Sequence, residues 1–279
     1  MAMTIELPAL ERTDADTPAS PAPGRLRRFA RPALGLLLPV GLALGWEIVV
    51  WFGLSSGRLV PPPSKLFATI MELAESGELT QHVVATLTRV GAGFGIGVVA
   101  GTLLGAVAGY WDLARRLLDP SVQALRAIPS LAWVPLFVLW MGIGEQPKIT
   151  LIAVGVFFPV YTNLVSGIRQ VDRKLLEAAS AYGYRRISLA GEVVLPAALP
   201  SLFTGLRLGL AQGWLFLVAA ELIGASQGLG FLLVDGQNSG RADIIVLSII
   251  FLAIIGKLTD TLLQVVEHRL LRWTDTVKR

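Results

Sequence analysis

Long apolar stretches alternate with short charged ones along most of the chain. Crossing a hydrocarbon core of roughly 30 Å takes about 20 helical residues at about 1.5 Å each. Six stretches meet that length: 33–53, 83–110, 121–141, 149–168, 201–223 and 244–266, the third interrupted by Arg126, Pro129 and Pro135. The pattern predicts an all-α integral membrane protein with about six transmembrane helices. Trp51, Trp111, Trp140 and Trp273 fall near predicted span ends, where amphipathic rings favour the headgroup zone.

An even number of spans puts both termini on one side, and the distribution of Lys and Arg selects the side. The N-terminal arm, the Arg115/Arg116 loop, the Arg169 to Arg186 segment and the tail from Arg269 carry sixteen Lys or Arg, whereas the opposite loops carry four, Arg58, Lys65, Lys148 and Arg241. Both termini are therefore expected in the cytoplasm, with the chain multi-pass in its membrane.

Composition agrees with this reading and excludes others. The 279 residues are 53% apolar and 16% charged, with mean hydropathy +0.64. With no cysteine and only His82 and His268, no disulfide framework, thiolate metal site or histidine metal site is expected. The net charge of +4 is spread among apolar runs rather than gathered on a basic face, so no nucleic-acid partner is expected. No phosphate loop, H-E-x-x-H or G-x-S-x-G motif occurs; GIGEQPKIT lacks the second glycine and the lysine that should follow it. The chain should neither bind ATP nor act as an enzyme, and no catalytic or metal-ligating residue is assigned.

In the second span Gly93, Gly97, Gly101, Gly105 and Gly109 recur every four residues on one helical stripe. Such a stripe admits another helix at close range, since association in lipid relies on packing. Packing within the fold is the expected use and contact with a second copy the alternative.

Between the fourth and fifth spans, residues 169–200 are too polar to lie in lipid and too many for a hairpin loop. Residues 172–182 read as a helix with Leu175, Ala178, Ala179 and Tyr182 on one face. Gly183 is placed to stop it, a second short helix follows over about 185–192, and Pro196 and Pro200 are expected to separate that helix from the fifth span. Pattern alone leaves two readings open, a cytoplasmic knob or an interfacial helix lying on the bilayer.

Glu177-Ala178-Ala179, three residues, Gly183, nine residues, Val193, one residue and Leu195-Pro196 resemble the EAA signature of bacterial ABC importer permeases, with Val193 where isoleucine is usual. The resemblance extends over about 61–273. SGELTQH (76–82), LDPSVQALRAIPSLAWVPLFVLWMGIGEQPKI (118–149) and GKLTDTLLQVVEHRLLRW (256–273) are similar to the branch serving aliphatic sulfonates, taurine, nitrate and bicarbonate, above all to its aliphatic sulfonate permease subunits.

The resemblance implies a type I ABC importer permease fold and a homodimer in the lipid of a bacterial inner membrane. Two ATP-binding subunits, which use ATP and Mg, would dock at the cytoplasmic face, and an external substrate-binding protein would deliver the cargo. It also implies that Glu177, Ala178, Ala179, Tyr182, Gly183, Tyr184 and Arg185 form the ATPase-docking element. The chain then divides into a disordered cytoplasmic tail (1–30), a first transmembrane helix with an external segment (31–75), the transmembrane domain (76–268) carrying the coupling segment (169–200), and a cytoplasmic tail (269–279). A secondary transporter or channel acting alone would need coupling-ion sites, often with internal repeats, and does not account for the EAA spacing.

Glu47, Arg89, Arg126, Arg207, Glu221 and Lys257 lie within predicted spans. Intramembrane charges face protein or water and are functional suspects. Arg126, at the proline-interrupted span, and Glu221 are the candidates for the substrate path. The structural alternative has Lys257 pairing with Asp260, Glu221 with an arginine of a neighbouring helix, and Arg89 and Arg207 reaching a span end.

Overall fold

The computed structural model describes residues 25–185 and 187–273, and the described residues are helical or in short connections. The expectation of a disordered tail falls mostly on residues 1–24, outside the described residues. In chain order the helices are α1 (Arg25–Trp51), α2 (Pro63–Glu75), α3 (Glu78–Tyr110), α4 (Asp112–Ala127), α5 (Val134–Met141), α6 (Glu145–Arg169), α7 (Arg173–Ala181), α8 (Ile187–Leu189), α9 (Leu195–Gly224), α10 (Leu229–Asn238) and α11 (Ala242–Leu270).

Among the described residues, four helical runs are long and apolar enough to cross a membrane: α3, α6, the run from Ile187 to Leu222, and α11. The bent pair α4–α5 makes a fifth if it is one span, and α1 contributes a shorter apolar helix, Leu37–Trp51. The count is roughly consistent with six spans.

The third span differs most from its expected form. Its first half starts at Asp112, well before residue 121, as a strongly amphipathic helix, and an 88° bend separates it from the apolar second half. The reason is local: Ile128 is extended, as a residue before proline prefers, and a single 3₁₀ turn, Ser130–Trp133, joins the halves. A hydropathy window sees only the apolar half of an amphipathic helix, which hid the true start.

The bundle is built around α6, whose apolar window is 61% buried, against 28% for α3 and for α11. Two glycine stripes make this possible. A Cβ on Gly93 would come within 2.6 Å of Ile152 Cβ, one on Gly97 within 2.5 Å of the Ala153 carbonyl oxygen, and one on Gly101 within 2.9 Å of Val160 Cβ. From the other side, a Cβ on Gly205 would meet the Pro159 carbonyl oxygen at 3.0 Å, and Cβ atoms on Gly209 and Gly213 would meet Val156 side-chain atoms at 3.2 and 3.1 Å. Backbones thus approach α6 on two faces, around a core of Val90, Ile152, Val156, Val160, Leu210 and Leu217. The stripe in α3 is a packing groove within the fold.

Candidate functional site

Three features carry the chemistry, beginning with the polar segment after α6. The Asp172 carboxylate accepts from the Lys174 backbone N–H at 2.9 Å and caps α7. Gly183, at φ +93°, lets the chain turn after the helix, and the Tyr184 N–H returns to the Ala179 carbonyl at 3.1 Å. The chain re-enters a helix at Ile187.

Contrary to the expected separation at Pro196 and Pro200, the prolines do not end that second helix. A π-helical turn, Ala190–Val194, leads straight into α9, with Pro196 in its first turn and Pro200 inside it. Widening of the helix around residue 190 and the position of Pro196 near a new start explain how a continuous run accepts proline.

The faces of α7 are also split differently. Of Leu175, Ala178, Ala179 and Tyr182, only Ala179 is buried, and Leu176 turns inward beside it. Leu176, Val171 and Leu189 pack on Leu164, Ile168, Val194 and Ala198, so the short helices are clamped to the ends of α6 and α9. Outward, Tyr182 is 87% and Ile187 81% exposed, while Leu175, Ala178, Gly183, Tyr184 and Arg185 are exposed too. Glu177 is likewise exposed and accepts from Arg173 at 3.0 Å. The result is an exposed surface with an apolar centre, packed onto the ends of two spans.

The second feature is a cavity of about 330 Å³ between α4, α6 and α9. Arg126 in the last turn of α4, Thr162 and Asn163 on α6, and Gln212 on α9 supply its polar groups. Among the described residues, the exposed Arg126 guanidinium makes no ion pair or hydrogen bond. Pro159 inside α6 removes the N–H that would bond the Gly155 carbonyl, and Gly155 lines the cavity. The position of Arg126 follows from how α4 is held: Asp119 accepts the Tyr161 hydroxyl at 2.6 Å and Val122 is buried against α6. Residues 119, 122 and 126 share one helical face.

The third feature contains Glu221 and lies at the other end of the bundle. Glu221 is 1% exposed, and Arg89, 3% exposed, donates to it at 2.6 Å and to Glu145 through a second, bidentate pair. Lys148 joins Glu145 at 3.1 Å. The Glu221 carboxylate also accepts from Thr86 Oγ1 at 3.0 Å and from the Gly230 N–H at 2.8 Å. The Leu229 and Gly228 N–H groups donate to Thr86 Oγ1 at 2.9 Å and to His82 Nδ1 at 3.0 Å. Three orphan N–H groups at the start of α10 are therefore capped by side chains of α3 and α9. The structure separates the two candidates: Arg126 faces a cavity, while every oxygen of Glu221 is occupied in a buried clamp.

The other intramembrane charges have partners. Lys257 meets Asp260 at 3.4 Å, Arg207 meets Asp260 at 3.4 Å and Glu267 at 3.8 Å, and Glu47 accepts from the Ser64 N–H at 3.0 Å. Outside the spans, Arg241 grips Glu72 through two bonds of 2.9 and 2.8 Å, and the hydrogen bond holds the Glu72 carboxyl below its ordinary range. Sequence reasoning missed α10, Asn163 and Gln212. Gly228 and Gly240, both at positive φ, bracket α10 and were its readable signal. Among the described residues, no three His, Asp or Glu side chains come together to hold a metal ion.

Comparisons with known proteins agree with this architecture. Residues 97–272 match the family model described as binding-protein-dependent transport system inner membrane component. A Bacillus subtilis (strain 168) relative, provisionally named an aliphatic sulfonates transport permease protein, is 41% identical over 87% of this chain and 88% of its own length. Its counterpart from Escherichia coli (strain K12), with the same provisional name, is 42% identical over 85% and 90% of the two chains. The taurine transport system permease protein of that strain is 36% identical over 84% and 86%. A structure of the MetNI methionine ABC transporter in an inward-facing conformation superimposes with a TM-score of 0.59 at 22% identity, covering 71% of this chain and 96% of that one, which supports the fold. With its glycine-lined bundle, its EAA segment and this family match, the chain belongs to the inner membrane components of binding-protein-dependent transport systems, the membrane permease subunits of ABC importers.

Proposed function

We propose that the chain translocates a small anion, an aliphatic sulfonate, by alternating access as a homodimer driven by two separate ATP-binding subunits. The observation that carries the substrate reading is the guanidinium of Arg126, unpaired among the described residues, beside an open, partly polar cleft between α4, α6 and α9. An unpaired cation at membrane depth is tolerated only against water or a polar ligand, and a sulfonate supplies acceptor oxygens for its planar fork of donors. The names of the two relatives above 40% identity point the same way.

For coupling, the reading rests on the exposed patch around Tyr182, Gly183 and Ile187. A cleft on an ATP-binding subunit that covers this patch would carry α7 with it when nucleotide closes the pair. Because Leu176 and Ala179 are packed inward, the motion would pass to α6 and α9, the helices that wall the cavity. Cargo would arrive from an external binding protein in the inner membrane setting, with both termini cytoplasmic. Glu221 has the role of a buried anchor for Arg89 and α10 in this scheme, not that of a substrate ligand.

The experiment is reconstitution in liposomes with the partner ATPase and binding protein, following ATP-dependent uptake of butane-1-sulfonate against taurine and nitrate. A Cβ on Gly183 meets nothing within 4 Å, and aspartate tolerates left-handed backbone better than most residues, so Gly183→Asp should fold and yet lose coupled uptake. Uptake of nitrate or taurine in place of the sulfonate would refute the substrate assignment. Uptake without the ATPase would refute the mechanism.

A further inference from the structure

The cavity beneath Arg126 has a lining of two kinds, and one kind of group is missing. Its polar side holds the guanidinium and the amides of Gln212 and Asn163; Phe158, Leu208 and Phe216 supply apolar surface. Asn163 spends one amide hydrogen on the Pro159 carbonyl at 2.8 Å, and Thr162 spends its hydroxyl proton on the Phe158 carbonyl at 2.9 Å. Gln212 is exposed and, among the described residues, makes no hydrogen bond. Its amide and the second Asn163 hydrogen therefore remain free beside the cation. No carboxylate is among the described residues that line the cavity.

Resting on the reading of this cavity as the substrate path, we propose that the permease itself selects on net charge, passing monoanions with an apolar tail and disfavouring zwitterions that carry an ammonium, because the described lining holds a cation and no carboxylate. A sulfonate head meets one formal positive charge and neutral donors, while an alkyl tail meets aromatic and leucine surface that favours its removal from water. An ammonium brought into the same space loses hydration, is repelled by the fixed guanidinium and finds no opposite charge. The apolar wall does nothing to offset that cost.

Gln212→Glu would change the lining from one net positive charge to none. The monoanion then loses attraction while the zwitterion loses repulsion, and both effects shift selection in one direction. In the complete complex with ATPase and binding protein in liposomes, the ratio of taurine to butane-1-sulfonate uptake is measured for wild type and variant. Because the binding protein is common to both, its own preference cancels when the two ratios are divided.

The ratio is expected to rise roughly tenfold, a difference of about 1.4 kcal/mol. Gln212→Leu should leave it within about twofold, since that change adds no charge. Thr162→Glu, placing a carboxylate from the α6 wall, should shift the ratio the same way and covers the case in which Gln212→Glu fails to assemble. Unchanged ratios in both carboxylate variants, with uptake intact, would overturn the selection proposal and leave the transport reading standing. Absence of ATP-driven uptake of either compound by the wild-type complex would instead overturn the transport reading, and this proposal with it.

Discussion

Gly97→Ala tests the packing argument at its tightest point. The added Cβ would lie 2.5 Å from the Ala153 carbonyl oxygen and 2.7 Å from Val156 Cβ. Ordinary carbon contacts are about 3.5–4.0 Å, so α3 and α6 must separate by something like an ångström, and the obstructing atoms include backbone that has no other rotamer. Overpacking of this kind costs about 1–3 kcal/mol. Gly95→Ala, two residues away on the same helix, meets nothing within 4 Å and gains the helix preference of alanine over glycine, about 0.5–1 kcal/mol. The same preference acts at Gly97, so the two variants should differ by the overpacking cost, about 1–3 kcal/mol, with Gly97→Ala the less stable. Thermal unfolding of the purified protein in one detergent, followed by near-ultraviolet dichroism of its tryptophans, compares them directly. Equal melting temperatures for Gly97→Ala and Gly95→Ala would refute the claim that the stripe is a space-limited groove within the fold.

Removing the cation of the buried clamp with Arg89→Met should destabilise by about 3–5 kcal/mol, because Glu221 is left charged, buried and without its partner; a melting temperature equal to wild type would show the clamp to be dispensable. Arg126→Gln should leave the melting temperature unchanged, since the guanidinium pairs with nothing described, while lowering sulfonate uptake at least tenfold; a large loss of stability would reassign Arg126 to structure. The Glu72 carboxyl is lowered from its ordinary value of 4.5 by the Arg241 hydrogen bond, so its contribution is fully present above about pH 4.5 and is lost as pH falls through the lower folded value. Glu72→Gln should therefore melt with a smaller further loss than wild type on acidification below pH 4.5, the difference being modest because the group is exposed; identical acid limbs would contradict it.

Much of the architecture was legible in the linear pattern. Lengths of apolar stretch located the spans because hydrocarbon leaves the backbone only itself to bond with. The four-residue recurrence of glycine in α3 marked a close helix contact, and residues 172–182 with Gly183 marked a capped and terminated helix, because periodicity and caps are local properties. The limits were also local. Hydropathy could not see the amphipathic first half of the third span, and proline near 196 read as a break because the widened π-helical turn before it leaves no sequence trace.

The chain by itself thus determined an all-helical membrane protein, most of its span positions, an EAA-like spacing and a short roster of suspicious charges. Which of those charges have partners was decided only by the tertiary structure. Arg89 and Glu221 lie 132 residues apart and meet at 2.6 Å, so one buried cation satisfies one buried anion, whereas Arg126 is carried by the Asp119–Tyr161 bond and the Val122 contact to a cavity where nothing described neutralises it. Such pairings depend on distances between helices remote in sequence, and a one-dimensional pattern holds only the distances along one helix.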